Sequence, residues 1–249
     1  MQKLPLPEMW DICVKLDWKE DFVKSLNKFL TSHNSKQILD ASGGTGFPSI
    51  ELHKLGWNIS YSDGSKQMFD FFEKKLKESN LKISHYNYDW ANLQLIAKKF
   101  DTILCRGNSL VYVDSWEKNQ INEQTPKHIE RSLKSFFDSL ENNGILYVDT
   151  INKNEFNKEK YPIITETNDT INGIGEIKSK WEIFHDYKNR IRTVKITLEI
   201  SGKTYKFDLH SYLLKHEELV KMLKQVGFKK VEETNILGEN HYTVFIAYK

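Results

Sequence analysis

Apolar positions along the chain change their period several times, and each change marks an element. Between residues 18 and 30, Phe22, Leu26, Phe29 and Leu30 recur at helical spacing and predict an amphipathic helix leading into the core. Residues 37–41 read as a short apolar strand, followed by the small-residue run Ser42, Gly43, Gly44, Thr45 and Gly46 and then by helical periodicity through Leu55. The alternation continues with a strand over 57–62, a helix over 66–79, a strand over 82–86, a helix near 91–98 and a strand over 100–105. A long helix over 126–140 and the turn residues Asn142, Asn143 and Gly144 lead to a strand over 145–150. Strands and helices trading places in this way predict an α/β fold with a parallel, doubly wound sheet.

Past Asn152 the period drops to two. Trp181 and Ile183, then Val194, Ile196, Leu198 and Ile200, then Tyr205, Phe207 and Leu209 alternate with polar residues, and turn signals stand at Lys188–Asn189 and Ser201–Gly202. Residues 175–212 therefore predict antiparallel strands. Helical spacing returns over 217–226, Gly227 supplies the stop, and strands over 229–234 and 242–248 complete a mostly parallel sheet of seven strands. The expected organisation is a core of residues 1–151 and 213–249 with an antiparallel β insertion at 152–212.

Composition narrows the class of partner. Of 249 residues, 39% are hydrophobic and 28% charged, which suits a folded globular chain. The 36 basic and 34 acidic residues leave a formal charge of +2, too little to hold a nucleic-acid backbone or an anionic membrane, so the partner expected is a small molecule. The first seven residues have no apolar stretch of signal-peptide length and no run of about 18 apolar residues occurs, giving a cytoplasmic location as the default. Cys13 and Cys105 stand far apart without metal-ligand spacing, so neither a disulfide nor a metal site is expected. A homo-oligomer is compatible with the sequence.

Candidate chemistry gathers at the predicted strand ends. Small residues straight after a strand let backbone amides approach a ligand, although a bare tight turn would use the same residues. Asp63 ends the second strand, about 20 residues past the glycines, where a carboxylate can accept both hydroxyls of a ribose; a solvated surface acid is the alternative. The loop lacks the third glycine of a dinucleotide fingerprint, and Asp40 would oppose a pyrophosphate while suiting a sulfonium, so S-adenosylmethionine (SAM) fits better than a nicotinamide cofactor. After the third strand, Asp89 can accept from an adenine amino group and Trp90 can pack on its ring, or the pair can serve as helix cap and core. After the fourth, Gly107 allows close approach and Asn108 offers a donor and an acceptor.

With these segments the chain resembles the glycine and sarcosine N-methyltransferases. The resemblance rests on residues 9–18 (MWDICVKLDW), 39–52 (LDASGGTGFPSIEL), 63–68 (DGSKQM), 89–93 (DWANL), 100–110 (FDTILCRGNSL) and 144–152 (GILYVDTIN), with a less specific stretch at 217–228. It implies a Rossmann-like methyltransferase fold, SAM as cofactor with S-adenosylhomocysteine as product, and an insertion that covers the acceptor pocket as a lid. It also implies that Ser42 and Gly44 line the methionine and ribose side, that Asp63 holds the ribose, and that Asp89 and Trp90 frame adenine. The full cofactor set expected is Trp18, Asp40, Ser42, Gly43, Gly44, Gly46, Asp63, Gly64, Ser65, Met68, Tyr88, Asp89, Trp90, Cys105, Arg106 and Gly107.

Departures from the family's pattern concern the acceptor. The family's Arg after the fifth strand falls where this chain has Ile151, Asn152 and Lys153, the His after the GNS segment is Tyr112, and the Arg expected near Asp21 is absent. A bidentate carboxylate clamp is thereby missing. Asn108, Tyr112 and Tyr212 are the residues expected to act on the acceptor, with His210 as a further polar group in the same region. The reading is methyl transfer to a small polar molecule, most naturally an amine nitrogen other than that of glycine. An O-methyltransferase and a SAM-binding protein without turnover stay open as alternatives. A nucleic-acid methyltransferase is disfavoured, because the segment Arg106–Gly107–Asn108–Ser109 replaces the Asn/Asp-Pro-Pro-aromatic signature.

Overall fold

The computed structural model describes residues 4–18, 20–117, 120–156 and 161–249. In it the predicted alternation forms one large sheet from β1 (Ile38–Asp40), β2 (Ile59–Ser62), β3 (Ser84–Tyr86), β4 (Phe100–Cys105), β5 (Leu140–Ile151), β10 (Lys230–Thr234) and β11 (Tyr242–Tyr248). The order is β10-β11-β5-β4-β1-β2-β3, and β1 pairs in parallel with both β2 and β4. Only β11 runs against its neighbours. The strand order reverses beside β1, so a crevice opens at the carboxyl ends of β1 and β4. Strands β1 and β2 are buried along their whole length, as central strands covered on both faces must be.

Helices cover the two faces. On one side α5 (Thr125–Ser139) and α7 (His216–Val226) bury Ile129, Leu133, Phe136, Leu219 and Leu223. On the other, α2 (Glu20–Ser32) buries Phe22, Leu26, Phe29 and Leu30, the four positions whose spacing predicted it. That prediction began at residue 18; Lys19 lies outside the described residues. Two further helices, α3 (Ser49–Lys54) and α4 (Lys66–Ser79), follow β1 and β2.

The insertion is a second sheet, an antiparallel meander of β6 (Ile163–Ile171), β7 (Gly175–Asp186), β8 (Ile191–Ile200) and β9 (Lys203–Tyr212). A one-turn helix α6 (Lys153–Phe156) precedes it. Within the expected insertion, residues 157–160 lie outside the described ones. The first strand, β6, was not expected: its face is largely exposed, so its apolar residues do not alternate.

Three local readings change. Residues 6–17 form a helix, α1 (Leu6–Asp17), that the sequence reading left out. Its Met9, Ile12, Cys13 and Leu16 pack on Ile177, Val194, Ile196 and Leu198, so α1 supplies the buried side of the second sheet. The helix near 91–98 is a 3₁₀ helix over Trp90–Ile96, ended by Ala97 in the left-handed region. The Asn142–Gly144 turn is absorbed into β5 as an irregularity of its pairing with β4. Among the described residues no helix is long and apolar enough to cross a membrane.

Candidate active site

The crevice at the strand ends is a cavity of about 340 Å³. Its floor is made by backbone geometry. Gly44 has φ +51°, and a side chain there would point into open space, with its nearest neighbour the Trp10 indole nitrogen at 3.9 Å. Gly43 and Gly46 serve packing instead: a Cβ on Gly43 would stand 2.2 Å from the Tyr61 ring, and one on Gly46 would stand 2.6 Å from Phe72. Ser42 joins the β1 and β4 loops, its Oγ accepting from the Arg106 amide at 2.9 Å. Lys75 donates to Asp11 at 2.7 Å and to the Thr45 carbonyl at 2.9 Å, tying α1 over the glycine loop and bringing Trp10 to the cavity.

Asp63 faces that loop. One carboxylate oxygen accepts from Gly44 N at 2.8 Å and the other from Ser65 N at 2.8 Å, leaving unused lone pairs on both oxygens of a residue that lines the cavity. Burial pushes Asp63 up to about 6 against these two hydrogen bonds, and the charges of Asp40 and Glu117 add to the rise. Ser65 caps α4 by accepting from Met68 N, and its hydroxyl donates to Glu117 at 2.8 Å. Gly64 lets the chain lie against Asp89, whose Cα would be 3.1 Å from an added Cβ. Asp89 itself is exposed on the cavity wall and accepts from Asn92 at 2.6 Å. The Trp90 indole donates to the Ala41 carbonyl at 2.5 Å, which holds its ring at the cavity edge and against Phe136.

Of the residues expected at the cofactor, Ser42, Gly44, Asp63, Gly64, Ser65, Met68, Asp89, Trp90 and Gly107 line this one cavity. Others do not line it. Asp40 is buried, with its carboxylate accepting from Ser49 at 2.7 Å and from Ser42 N at 3.3 Å; burial raises its pKa while the nearby Arg106 charge opposes the rise. Its charge is thus answered inside the protein, and the sulfonium partner inferred from sequence does not line the cavity. Arg106 is buried under Trp18, Phe22 and Phe47, 4.9 to 5.3 Å from their ring centres, and donates to the Phe47 carbonyl at 2.8 Å. Trp18 donates to Glu239 at 3.1 Å, Tyr88 stacks on Tyr86, and Cys105 is buried with its thiol pushed up by that burial.

The residues expected at the acceptor separate. Tyr112 lines the cavity, edge-on to Trp116 at 5.5 Å, and Trp116 is in turn edge-on to Trp10 at 5.4 Å. Asn108, 2% exposed, turns instead toward β5 and accepts from Thr150 at 3.2 Å. Tyr212 packs under the Arg190 guanidinium, 5.0 Å from its ring centre, and belongs to the core. His210 bonds Thr193 at 3.0 Å. Gly107 and Asn108 both have positive φ, so their two amides converge on the Asp149 carboxylate at 2.9 and 2.6 Å. Burial first, and the Glu239 charge second, raise Asp149.

The cavity also has walls that sequence reasoning did not supply: Trp10 from α1, Trp116 and Glu117 after β4, and His128 and Arg131 from α5. Trp10 was findable, because Met9, Ile12, Cys13 and Leu16 already show i, i+3, i+4, i+7 spacing. Glu117 sits at φ +64° in a loop, and no local pattern announces it.

Residues 38–144 match the family model described as a methyltransferase domain, a span that ends before β5 is complete and leaves the second sheet outside. The glycine/sarcosine N-methyltransferase of Aphanothece halophytica is 27% identical over 226 residues, covering 90% of this chain and 76% of that protein. The enzyme of the same name from Halorhodospira halochloris is 30% identical over 143 residues, covering 55% of this chain and 48% of its own length. Among solved structures, a SAM-dependent methyltransferase from Clostridium acetobutylicum superposes with a TM-score of 0.72 at 17% identity, covering 97% of this chain and 96% of that one. The sheet order, the domain match and these relatives agree: the chain is a SAM-dependent methyltransferase that resembles the glycine/sarcosine N-methyltransferases.

Proposed function

We propose that this enzyme transfers the methyl group of SAM to the nitrogen of a small polar amine other than glycine. The observation that carries the reading is the convergence of Gly44, Asp63, Trp90, Gly107 and Tyr112 on one cavity at the strand ends. The donor set suits the cofactor: Asp63 has free lone pairs for a ribose diol, Asp89 and the Trp90 ring suit adenine, and the bare edges of Gly44 and Gly107 leave room for the methionine side. When bound, SAM supplies an electrophilic methyl on a positively charged sulfur. The protein's task is then to hold an acceptor in line with that methyl, and such positioning can contribute ~7–11 kcal/mol. Tyr112 would orient the acceptor from the side where α1 and the second sheet approach the cavity, and that sheet would act as the lid of the acceptor pocket. The phenol is held neutral by burial, so it serves as a hydrogen-bond partner rather than a base, and the acceptor's proton leaves to water.

Nitrogen is favoured over oxygen by the relatives' names. Glycine is disfavoured by the chain after β5, where Asn152 donates to the His241 carbonyl at 3.2 Å and Lys153 pairs with Glu233 at 3.0 Å at the exposed surface. Neither offers a fork to an acceptor carboxylate. Incubation of the purified protein with methyl-labelled SAM and a panel of glycine, sarcosine, ethanolamine, amino sugars and simple alcohols tests this. Label should pass to an amine without a carboxylate; transfer only to glycine, only to alcohols, or to nothing while SAM still binds would overturn it.

A further inference from the structure

Next to Tyr112 runs a chain of polar groups that do not themselves line the cavity. Arg192 of β8 lies with its side chain 7% exposed and grips Glu155 of α6 with two bonds, Nε to Oε1 at 2.6 Å and Nη2 to Oε2 at 3.2 Å. His185 of β7, its side chain wholly buried, bonds the same Glu155 oxygen at 3.1 Å and Tyr161 at 2.9 Å through its other nitrogen. In register beside Arg192, across the β8–β9 ladder, stands Ser211, whose buried hydroxyl has no other partner among the described residues. Strand β9, which carries Ser211 beside Arg192, packs on the turn that holds Tyr112, and the Arg192 charge and the Ser211 hydroxyl both pull the Tyr112 phenol down against the rise that burial causes.

We propose that Arg192 is a positioning residue for the methyl-transfer site: clamped by Glu155, it fixes the Tyr112 phenol where the cavity meets the second sheet. The proposal rests on the reading of that cavity as the site of transfer. A buried ion pair contributes little net stability compared with apolar residues of the same size, but a guanidinium fork held at two points has one direction. The fork is held at two points by Glu155, and its charge acts on the Tyr112 phenol. Glu155 stays ionised throughout: burial would raise its pKa, yet Arg192 and His185 hold it at about 2. Three segments that share no local sequence pattern, the turn after β4, α6 and the β8–β9 ladder, are joined at this point. An acceptor bound against Tyr112 would therefore feel the second sheet through Arg192.

The test uses the full chain labelled with 3-fluorotyrosine, in which the Tyr112 fluorine resonance is assigned by its loss in Tyr112→Phe. The groups facing the phenol are Arg192 and Ser211 from the second sheet, Glu155 from α6 and Tyr242 from β11, with Arg192 the stronger of the two charges. In Arg192→Met the resonance should move and its titration midpoint should rise, while Arg192→Lys restores the midpoint in part. Affinity for S-adenosylhomocysteine by calorimetry should stay within about twofold in both. Because Arg192→Met leaves Glu155 buried without its guanidinium, the double variant Glu155→Gln/Arg192→Met keeps the fold available, and its midpoint should also lie above that of the parent. An unmoved resonance and midpoint in both charge-removing variants would overturn the proposal, as would an equal loss of S-adenosylhomocysteine affinity. None of these readouts needs turnover, so a failure of the methyl-transfer reading leaves them separately interpretable.

Discussion

At the end of the cavity proposed to hold the cofactor the chain presents mainly its backbone: Gly44, Gly107 and the amides of Gly44 and Ser65 shape a space around Asp63. At the opposite end it works through side chains, with Trp10, Trp116 and Tyr112 set edge to face and an Arg192–Glu155–His185 chain behind them. The first end is assembled by consecutive strand tips of one sheet, so each part stands at a fixed distance from a strand. The second is assembled from α1, α6 and two different sheets. A rigid parallel sheet can present a nucleoside site with few specialised residues, whereas an acceptor site must be shaped by whatever the appended elements bring.

The largest effect that would separate the two ends is at Glu155. Removing its charge in Glu155→Gln leaves Arg192 buried without a counter-ion, which costs about 3–5 kcal/mol of folding stability. Adding Arg192→Met should recover most of that loss, because a neutral pair replaces a neutralised one. Denaturant melts of both single variants and the double variant measure the coupling; additive losses would mean that the pair is not a unit. Asp63→Ala comes next and acts on the other end. It removes the proposed ribose acceptor and strands two amides, and with charge-assisted bonds at about 1.5–3 kcal/mol each, affinity for S-adenosylhomocysteine should fall at least a hundredfold. Unchanged affinity would detach the strand tips from the cofactor.

These two substitutions also mark what was legible in the sequence. That Gly44, Asp63, Asp89 and Trp90 would meet at the strand ends could be read because a strand, a turn and a helix put them at set intervals, and the predicted strands and helices of the large sheet fall within a few residues of the observed ones. Asn108 misled because its position after β4 fixes where its backbone lies but not which way its amide turns; the positive φ there sends it to Thr150. Tyr212 misled in a similar way, since the end of β9 meets Arg190 and the core rather than the cavity. Arg192 and Glu155 were invisible, because an ion pair between β8 and α6 leaves no period or spacing in the chain.

A smaller effect tests whether the floor of the cofactor end is as rigid as its backbone suggests. Tyr61 is fully buried and stacked on Phe72 with ring centres 3.8 Å apart, so it has no room to retreat from a methyl group on Gly43. Gly43→Ala should therefore cost about 1–3 kcal/mol in thermal or denaturant unfolding. A variant as stable as the parent would mean that the Tyr61–Phe72 stack yields, and that the floor is softer than the acceptor end it is contrasted with.

The smallest effect is one of pH, and the two ends should respond with opposite sign. Asp63 is raised to about 6 in the folded protein from an ordinary value of about 3.9, so the folded state holds its proton longer than the unfolded chain does. Its contribution to stability is complete below about pH 4 and is lost as pH rises through about 6. Glu155 is lowered to about 2 from about 4.3, so its contribution is complete above that ordinary value and is lost as pH falls through about 2. Ribose hydroxyls donate to an ionised carboxylate, so cofactor affinity should run against the stability trend at Asp63 and tighten between pH 5 and pH 7, by about tenfold at most if only the ionised form binds. Calorimetric titration of S-adenosylhomocysteine across that range measures it. Asp63→Asn should flatten the curve, whereas Glu155→Gln should leave its slope intact; a slope that survives Asp63→Asn would place the titrating group elsewhere and remove Asp63 from the ribose.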